Sequence, residues 1–194
     1  MLANMINFAR VSRRGVVLGA AIVSLSFTTT NAAHAQAATA TSVPAKPADV
    51  ASMDAVLAAL YDVISGPASQ KRDWDRFRSL FIAGARLIPT GRNPGMPVRT
   101  RVMSPDEYAE QAAPALEREG FFEREISRTA DTFGPITQVF STYDSKHALA
   151  DAKPFQRGIN SIQLLNDGTR WWIVSIYWSA ERPDNPIPAK YLKK

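Results

Sequence analysis

Asp167-Gly-Thr-Arg-Trp-Trp-Ile-Val-Ser-Ile-Tyr-Trp-Ser-Ala-Glu181 holds three of the chain's four tryptophans. Asp-Gly is a strong hairpin signal. The run after it is rich in β-branched and aromatic residues, so the stretch reads as a turn feeding a long strand. A strand with one face in water alternates apolar and polar residues. This one is apolar on both sides, with Ser175 and Tyr177 interrupting the run. It needs something to cover each face.

Pairing backward from a two-residue Asp167-Gly168 loop sets Leu164 opposite Trp171 and Ile162 opposite Ile173. It also sets Asn160 opposite Ser175 and Gly158 opposite Tyr177. One face then carries Ile162, Trp171 and Ile173, with Asn160, Ser175 and Tyr177 farther from the turn. Apolar walls with a few polar groups are the character of a small-molecule pocket. The other face carries Trp172, Val174, Ile176 and Trp178, a patch whose size marks an interface.

Working outward, period two continues upstream. Residues 121–132, 136–145, 155–165 and 169–181 read as four long strands, with Gly134-Pro135 at a turn. Before Gly120 the period is helical. Val50, Met53, Leu57, Leu60, Tyr61 and Ile64 make one apolar face, ended by Gly66-Pro67. A second, short helix spans 73–81, with Trp74, Phe77, Leu80 and Phe81 on one side. Residues 85–89 and 98–103 read as brief strands around a Gly- and Pro-rich loop. Ser104-Pro105-Asp106-Glu107 is a capping-box start for a third helix to about Glu119, with Tyr108, Ala112 and Leu116 on one face and Pro114 inside it. Helices first and antiparallel strands after them give an α+β layout, with three N-terminal helices on one face of a curved sheet.

The first 35 residues stand apart. Arg10, Arg13 and Arg14 precede an apolar run from Gly15 to Phe27, and Ala33-His-Ala35 supplies a small-x-small cleavage site. That order is a secretory signal with cleavage expected after Ala35, and the run is too short to span a membrane. Ser12-Arg-Arg-Gly-Val-Val-Leu18 resembles the twin-arginine export signal, with Val16 where an aromatic is usual. The expected location is periplasmic or secreted, without stable membrane insertion after cleavage. Residues 36–47 read as a flexible linker, 48–182 as the folded domain and 183–194 as a Pro-rich irregular tail.

Composition narrows the chemistry. The whole chain carries 23 basic and 18 acidic side chains. Without the three signal arginines the balance is 20 to 18, a net charge of +2. No block of like charge remains, so nucleic acid is not an expected partner. The chain has no cysteine, which excludes thiol catalysis and thiolate metal sites. Past the signal only His147 is left, in the polar stretch 144–148. Multi-histidine metal sites are therefore excluded, and neither a metal nor a cofactor is expected.

Two stretches also carry a resemblance. Asp73-Trp-Asp-Arg-Phe-Arg-Ser-Leu-Phe81 followed by Gly84-Ala-Arg-Leu87, and the final Asp167-Gly-Thr-Arg-Trp-Trp-Ile-Val-Ser175, are similar to the nuclear transport factor 2-like superfamily, in particular its SnoaL-like bacterial members. The resemblance covers about residues 48–182. It implies a cystatin-like roll, a cone-shaped antiparallel sheet around the helices with an apolar pocket, and dimers packed through the convex sheet. Enzymes of that superfamily place Asp, Tyr or His in the pocket. Here Ser175 and Tyr177 stand where cyclase-like members carry histidine, and no complete catalytic set maps.

The expected pocket residues are thus Tyr61, Trp74, Phe77, Tyr108, Asn160, Ile162, Trp171, Ile173, Ser175 and Tyr177. The expected homodimer face is Trp172, Val174, Ile176 and Trp178. Glu123 and Glu125 share a strand face, and two close carboxylates can divide acid and base roles. Ion pairing with Arg124 and Arg128 competes with that reading. The catalytic candidates are Glu125, Tyr143 and Tyr177. The leading function is an exported domain that binds a small apolar or amphipathic ligand without evident catalysis. The alternatives are a cofactor-independent lyase, isomerase or hydrolase of the SnoaL-like or ketosteroid-isomerase-like type, and a protein-interaction module.

Overall fold

The computed structural model describes residues 44–92 and 96–193. The expected signal and most of the linker lie outside the described residues. Within the expected linker, Ala45 already packs against the core and helix α1 (Pro47–Val50) begins. Ser52 then caps α2 (Met53–Ile64), its side chain accepting from the Ala55 N–H at 3.0 Å. Asp73 caps α3 (Trp74–Ser79) in the same way. Phe81, expected at the end of that helix, instead opens strand β1 (Phe81–Gly91).

β2 (Arg99–Thr100) is only two residues long and is followed by an isolated bridge from Met103 to Leu87. α4 (Pro105–Glu119) starts on the expected capping box. Ser104 Oγ accepts from the Glu107 N–H, and the Glu107 carboxylate accepts from the Ser104 N–H. The four long strands follow: β3 (Phe122–Phe133), β4 (Ile136–Lys146), β5 (Gln156–Asn166) and β6 (Trp171–Ala180). A 3₁₀ turn at Ala189–Tyr191 lies in the tail.

Among the described residues six strands form one curved sheet, in the order β2-β1-β6-β5-β4-β3. It is a mixed sheet. β1 runs parallel to β6, where a wholly antiparallel sheet was expected. α2 packs across β3 and β6, and α3 and α4 pack against β1. The core lies between, with Leu57, Leu60, Phe77 and Leu80 from the helices against Val139, Ile162, Leu164 and Ile173 from the sheet.

The last hairpin departs from the expected register. Asp167–Arg170 form a four-residue loop, so Asn166 pairs with Trp171 and Leu164 with Ile173. Asp167 Oδ1 holds the loop by accepting from the Thr169 and Arg170 N–H groups, and Gly168 takes φ +89°. A bulge at Val174 then inserts one residue. Beyond it Ile176 pairs with Ile162 and Trp178 with Asn160. The faces after residue 174 are therefore the reverse of those expected. Ile176 and Trp178 turn to the helices, and Ser175 and Tyr177 turn outward. Trp172, Val174, Ile176 and Trp178 do not form a single face.

The outer face also has a covering of its own. Past Ala180 the tail crosses the back of the sheet. Thr142 Oγ1 donates to the Tyr191 carbonyl at 2.7 Å, the Phe140 and Tyr191 rings lie 5.0 Å apart, and Ser127 Oγ bonds the Lys193 carbonyl. Ile187 is buried by this crossing. It explains why β4 is buried on both faces from Ser141 to Ser145.

Candidate active site

β3 and β4 pair with Glu123 opposite Ser145 and Glu125 opposite Tyr143. Both carboxylates therefore sit on the face turned to α2, as their two-residue spacing requires. Their surroundings differ. Ile126 is bulged, which brings Arg128 onto the same face, opposite Ser141. Glu125 then accepts from Ser141 Oγ at 2.5 Å and pairs with Arg128 Nε at 3.4 Å. It is a paired carboxylate.

Among the described residues, no cation forms an ion pair with Glu123. Its carboxylate accepts from Ser145 Oγ at 2.8 Å. Burial pushes the carboxyl up from 4.5 to about 7, and the Asp144 charge adds to the rise. Hydrogen bonding from Ser145 and Asn160 offsets only part of it. Glu123 is half-buried as a residue and also borders a second recess, lined by Asp62, Ser65, Phe122, Arg124 and Lys146 among others.

The carboxyl borders a cavity of about 170 Å³ between the sheet and the helices. Leu60, Ile64, Phe77, Leu116, Phe121 and Ile176 supply apolar wall, and Tyr61, Tyr108, Tyr143, Gln156, Asn160 and Trp178 complete it. Gln156 is exposed, so the cavity reaches the surface there. A space this size holds about one six-membered ring. The aromatic wall is braced. The Phe77 and Tyr108 rings stack at 5.5 Å, Trp178 stands edge-on to Tyr108 at 6.0 Å, and Trp74 backs both Phe77 and Tyr108.

Burial raises all three tyrosine hydroxyls above their ordinary range, and the nearby Glu123 charge adds to this. They remain neutral donors at physiological pH. Tyr61 is committed. Asn160 Nδ2 donates to its Oη at 3.1 Å, and the Oη lies 2.7 Å from Ser141 Oγ. Since the Ser141 hydrogen goes to Glu125, Tyr61 must donate to Ser141. The run Asn160→Tyr61→Ser141→Glu125 thus has one direction, set by the charged end.

Tyr108 and Tyr143 are not committed. Neither hydroxyl is hydrogen-bonded among the described residues. No sealed side-chain polar atom there lacks a partner, so both hydroxyls stay open to whatever fills the cavity. Tyr143 reaches its place across Gly158, where a Cβ would lie 2.4 Å from its Oη. Glycine is needed there for that close approach.

Of the residues expected to line a pocket, Tyr61, Phe77, Tyr108 and Asn160 meet at this cavity. Ile162 and Ile173 are closed core, and Trp171 packs against that core. Trp74 stands behind the wall, its Nε1 donating to Glu117 at 3.3 Å. The Val174 bulge puts Ser175 and Tyr177 on the other side of the sheet. Among the catalytic candidates, Tyr143 lines the cavity, Glu125 holds Ser141 and Arg128, and Tyr177 lies outside. Gln156 and Trp178 were not expected in a pocket, and of the two glutamates weighed as an acid–base pair, Glu125 rather than Glu123 was the catalytic candidate. His147 is elsewhere, stacked on Phe155 at 4.1 Å with Nδ1 donating to the Gly120 carbonyl. Among the described residues, no group of three or more His, Cys, Asp or Glu could hold a metal ion.

No protein-family model and no curated protein matches the sequence. Solved structures do show similarity. One is a protein of unknown function with a cystatin-like fold from Nostoc punctiforme, 9% identical with a TM-score of 0.49, covering 65% of this chain and 86% of that one. A second is a nuclear transport factor 2-like protein from Shewanella baltica, 13% identical with a TM-score of 0.43, covering 66% and 89%. A third, also nuclear transport factor 2-like, is from Methylobacillus flagellatus, 13% identical with a TM-score of 0.42, covering 68% and 95%. Nuclear transport factor 2-like and cystatin-like are the names under which the fold was expected.

Proposed function

We propose that the cavity binds a small, mostly apolar molecule with a carbonyl oxygen, and that Glu123 moves a proton on it without a cofactor. The observation that carries this reading is the Glu123 carboxyl, in no ion pair among the described residues, beside two uncommitted tyrosine hydroxyls. A carboxyl held near 7 can take a proton from carbon and return it at neutral pH. A carbonyl oxygen that gains charge in that step needs neutral donors in a dry site, and Tyr108 and Tyr143 are such donors. The chemistry is proton abstraction beside a carbonyl, leading to isomerisation or elimination. The cavity volume favours substrates of about one ring.

The test is deuterium exchange. Cyclic ketones and enones of six to eight carbons are incubated with protein in D₂O and followed by NMR. Catalysed exchange is expected, lost by about 10²-fold or more in Glu123→Gln and weakened in Tyr108→Phe and Tyr143→Phe. Equal exchange in wild type and Glu123→Gln would sink the proposal. A second reading, binding without chemistry, is favoured by the braced aromatic wall. Thermal stabilisation by the same compounds without exchange would select it.

Two further expectations belong with this reading. Residues 1–35 support export, which N-terminal sequencing of the mature protein checks. A homodimer through the outer sheet face would have to form around the tail. Light scattering at high concentration measures it.

A further inference from the structure

The cavity adjoins a second, shallower recess, and Gln156 and Trp178 line both. The rest of that recess carries Arg92, Arg99, Arg101 and Arg182. Few carboxylates answer these four cations. Arg92 and Arg182 share Asp184, at 2.7 and 2.9 Å. Arg101 donates to the neutral Gln111 side chain at 2.7 Å. Arg99 is in no ion pair among the described residues. The Glu107 carboxylate lies close enough to act on Arg101, but it is engaged in the α4 cap. Glu181 is paired with Arg157 at 2.8 Å. Two arginines at the cavity mouth are thus left with charge to spare.

The backbone holds them in place. Arg99 and Arg101 are two residues apart on an extended segment, so they leave the same side. Thr100 between them accepts from Thr90 Oγ1 at 2.9 Å and donates to the Pro89 carbonyl at 3.1 Å, pinning the segment to β1. A guanidinium offers paired N–H groups that match a carboxylate, and a positive mouth raises the local concentration of anions. Inside the cavity the preference is opposite. A carboxylate turned inward would be desolvated beside Glu123, without a cation to meet it.

We propose that the natural ligand is an anion, with its apolar part in the cavity and a carboxylate held at the mouth by Arg99 and Arg101. This rests on the cavity reading above and adds the charge and orientation of what binds.

The experiment compares 3-phenylpropanoate with 3-phenylpropan-1-ol by calorimetry on the full chain, at low salt and at about 0.3 M salt. The carboxylate is expected to bind about tenfold tighter than the alcohol at low salt, with the gap narrowing as salt is added. In Arg99→Gln/Arg101→Gln the gap should close while alcohol affinity stays unchanged, which also shows that the variant is folded. Equal affinities in the wild type, or a gap that survives in the variant, would overturn the anion proposal while leaving the cavity reading intact. If neither probe binds, the cavity reading falls and the anion proposal with it.

Discussion

Two buried ionisable groups lie on either side of α2's C-terminus, and they are handled in opposite ways. Arg72 is 7% exposed. All five of its side-chain N–H donors reach backbone carbonyls: Ile64, Pro67, Gln70, Gly66 and Leu116. Its own N–H donates to Glu117. The guanidinium ties the end of α2, the loop after it and the end of α4 into one unit, and nothing is left over for a ligand. Glu123 is also desolvated but has far fewer partners, Ser145 and Asn160. The first arrangement satisfies a charge completely and builds structure. The second leaves a charge poorly solvated, which keeps its proton exchangeable near neutrality.

The largest effect expected from breaking this contrast is at Arg72. Arg72→Met removes five hydrogen bonds to main-chain carbonyls, those to Ile64 and Gly66 buried, and should destabilise by about 3–5 kcal/mol in urea unfolding. A loss under 1 kcal/mol would mean that the loop solvates itself and that the closed arrangement is not structural.

Glu123→Gln should act in the other direction. The native value of Glu123 lies above the unfolded one, so the native state keeps a proton that the unfolded chain releases between about pH 4.5 and 7. Stability from this group is full at low pH, falls as pH rises through that window, and is flat above it. Asp49, paired with Arg76, has the opposite sign, so the difference between wild type and variant isolates Glu123. Glu123→Gln should therefore be more stable than wild type by about 1–3 kcal/mol at pH 8 and nearly equal to it at pH 4. Denaturant melts at the two pH values check this, and a variant weaker at both would refute the assignment.

The smallest effect sharpens the comparison from inside the site. Tyr61→Phe leaves Ser141 and Asn160 each short of a partner and should cost about 1 kcal/mol. Because Asn160 then loses the acceptor that orients it, the carbonyl frequency and midpoint of Glu123 should shift in an infrared pH titration. An unchanged midpoint would show that the Tyr61 network does not reach Glu123.

Much of the fold was legible because its signals are local. The Ser104 capping box, the Asp73 cap and the four strand spans are set by side chains within a few residues of one another. The parallel pairing of β1 with β6 joins residues about 90 apart and leaves no local signal. The register of the last hairpin failed for a backbone reason. A period-two reading stays in phase to Ile173, and the Val174 bulge then shifts it by one. A hint was present: Trp171, Ile173, Ile176 and Trp178 skip one position, while Ser175, Tyr177 and Ser179 alternate cleanly with Ile176 and Trp178. Ser175 and Tyr177 interrupt the apolar run because, past the bulge, they form the outward-facing side. The site was half legible. Tyr61, Phe77, Tyr108 and Asn160 follow from helix and strand faces, but which of two glutamates stays unpaired depends on Arg128, carried inward by the Ile126 bulge.

The tail that crosses the back of the sheet has a consequence for how the chain behaves in a crowd. β3 is a sheet edge, with a row of main-chain groups open to pairing. By laying Tyr191 on Phe140 and anchoring the Lys193 carbonyl to Ser127 of that edge strand, the last dozen residues cover apolar surface and obstruct edge-to-edge stacking. The C-terminal segment thus shields that edge, and a chain cut at Glu181 is expected to self-associate more readily than the full chain, which light scattering at matched concentrations measures.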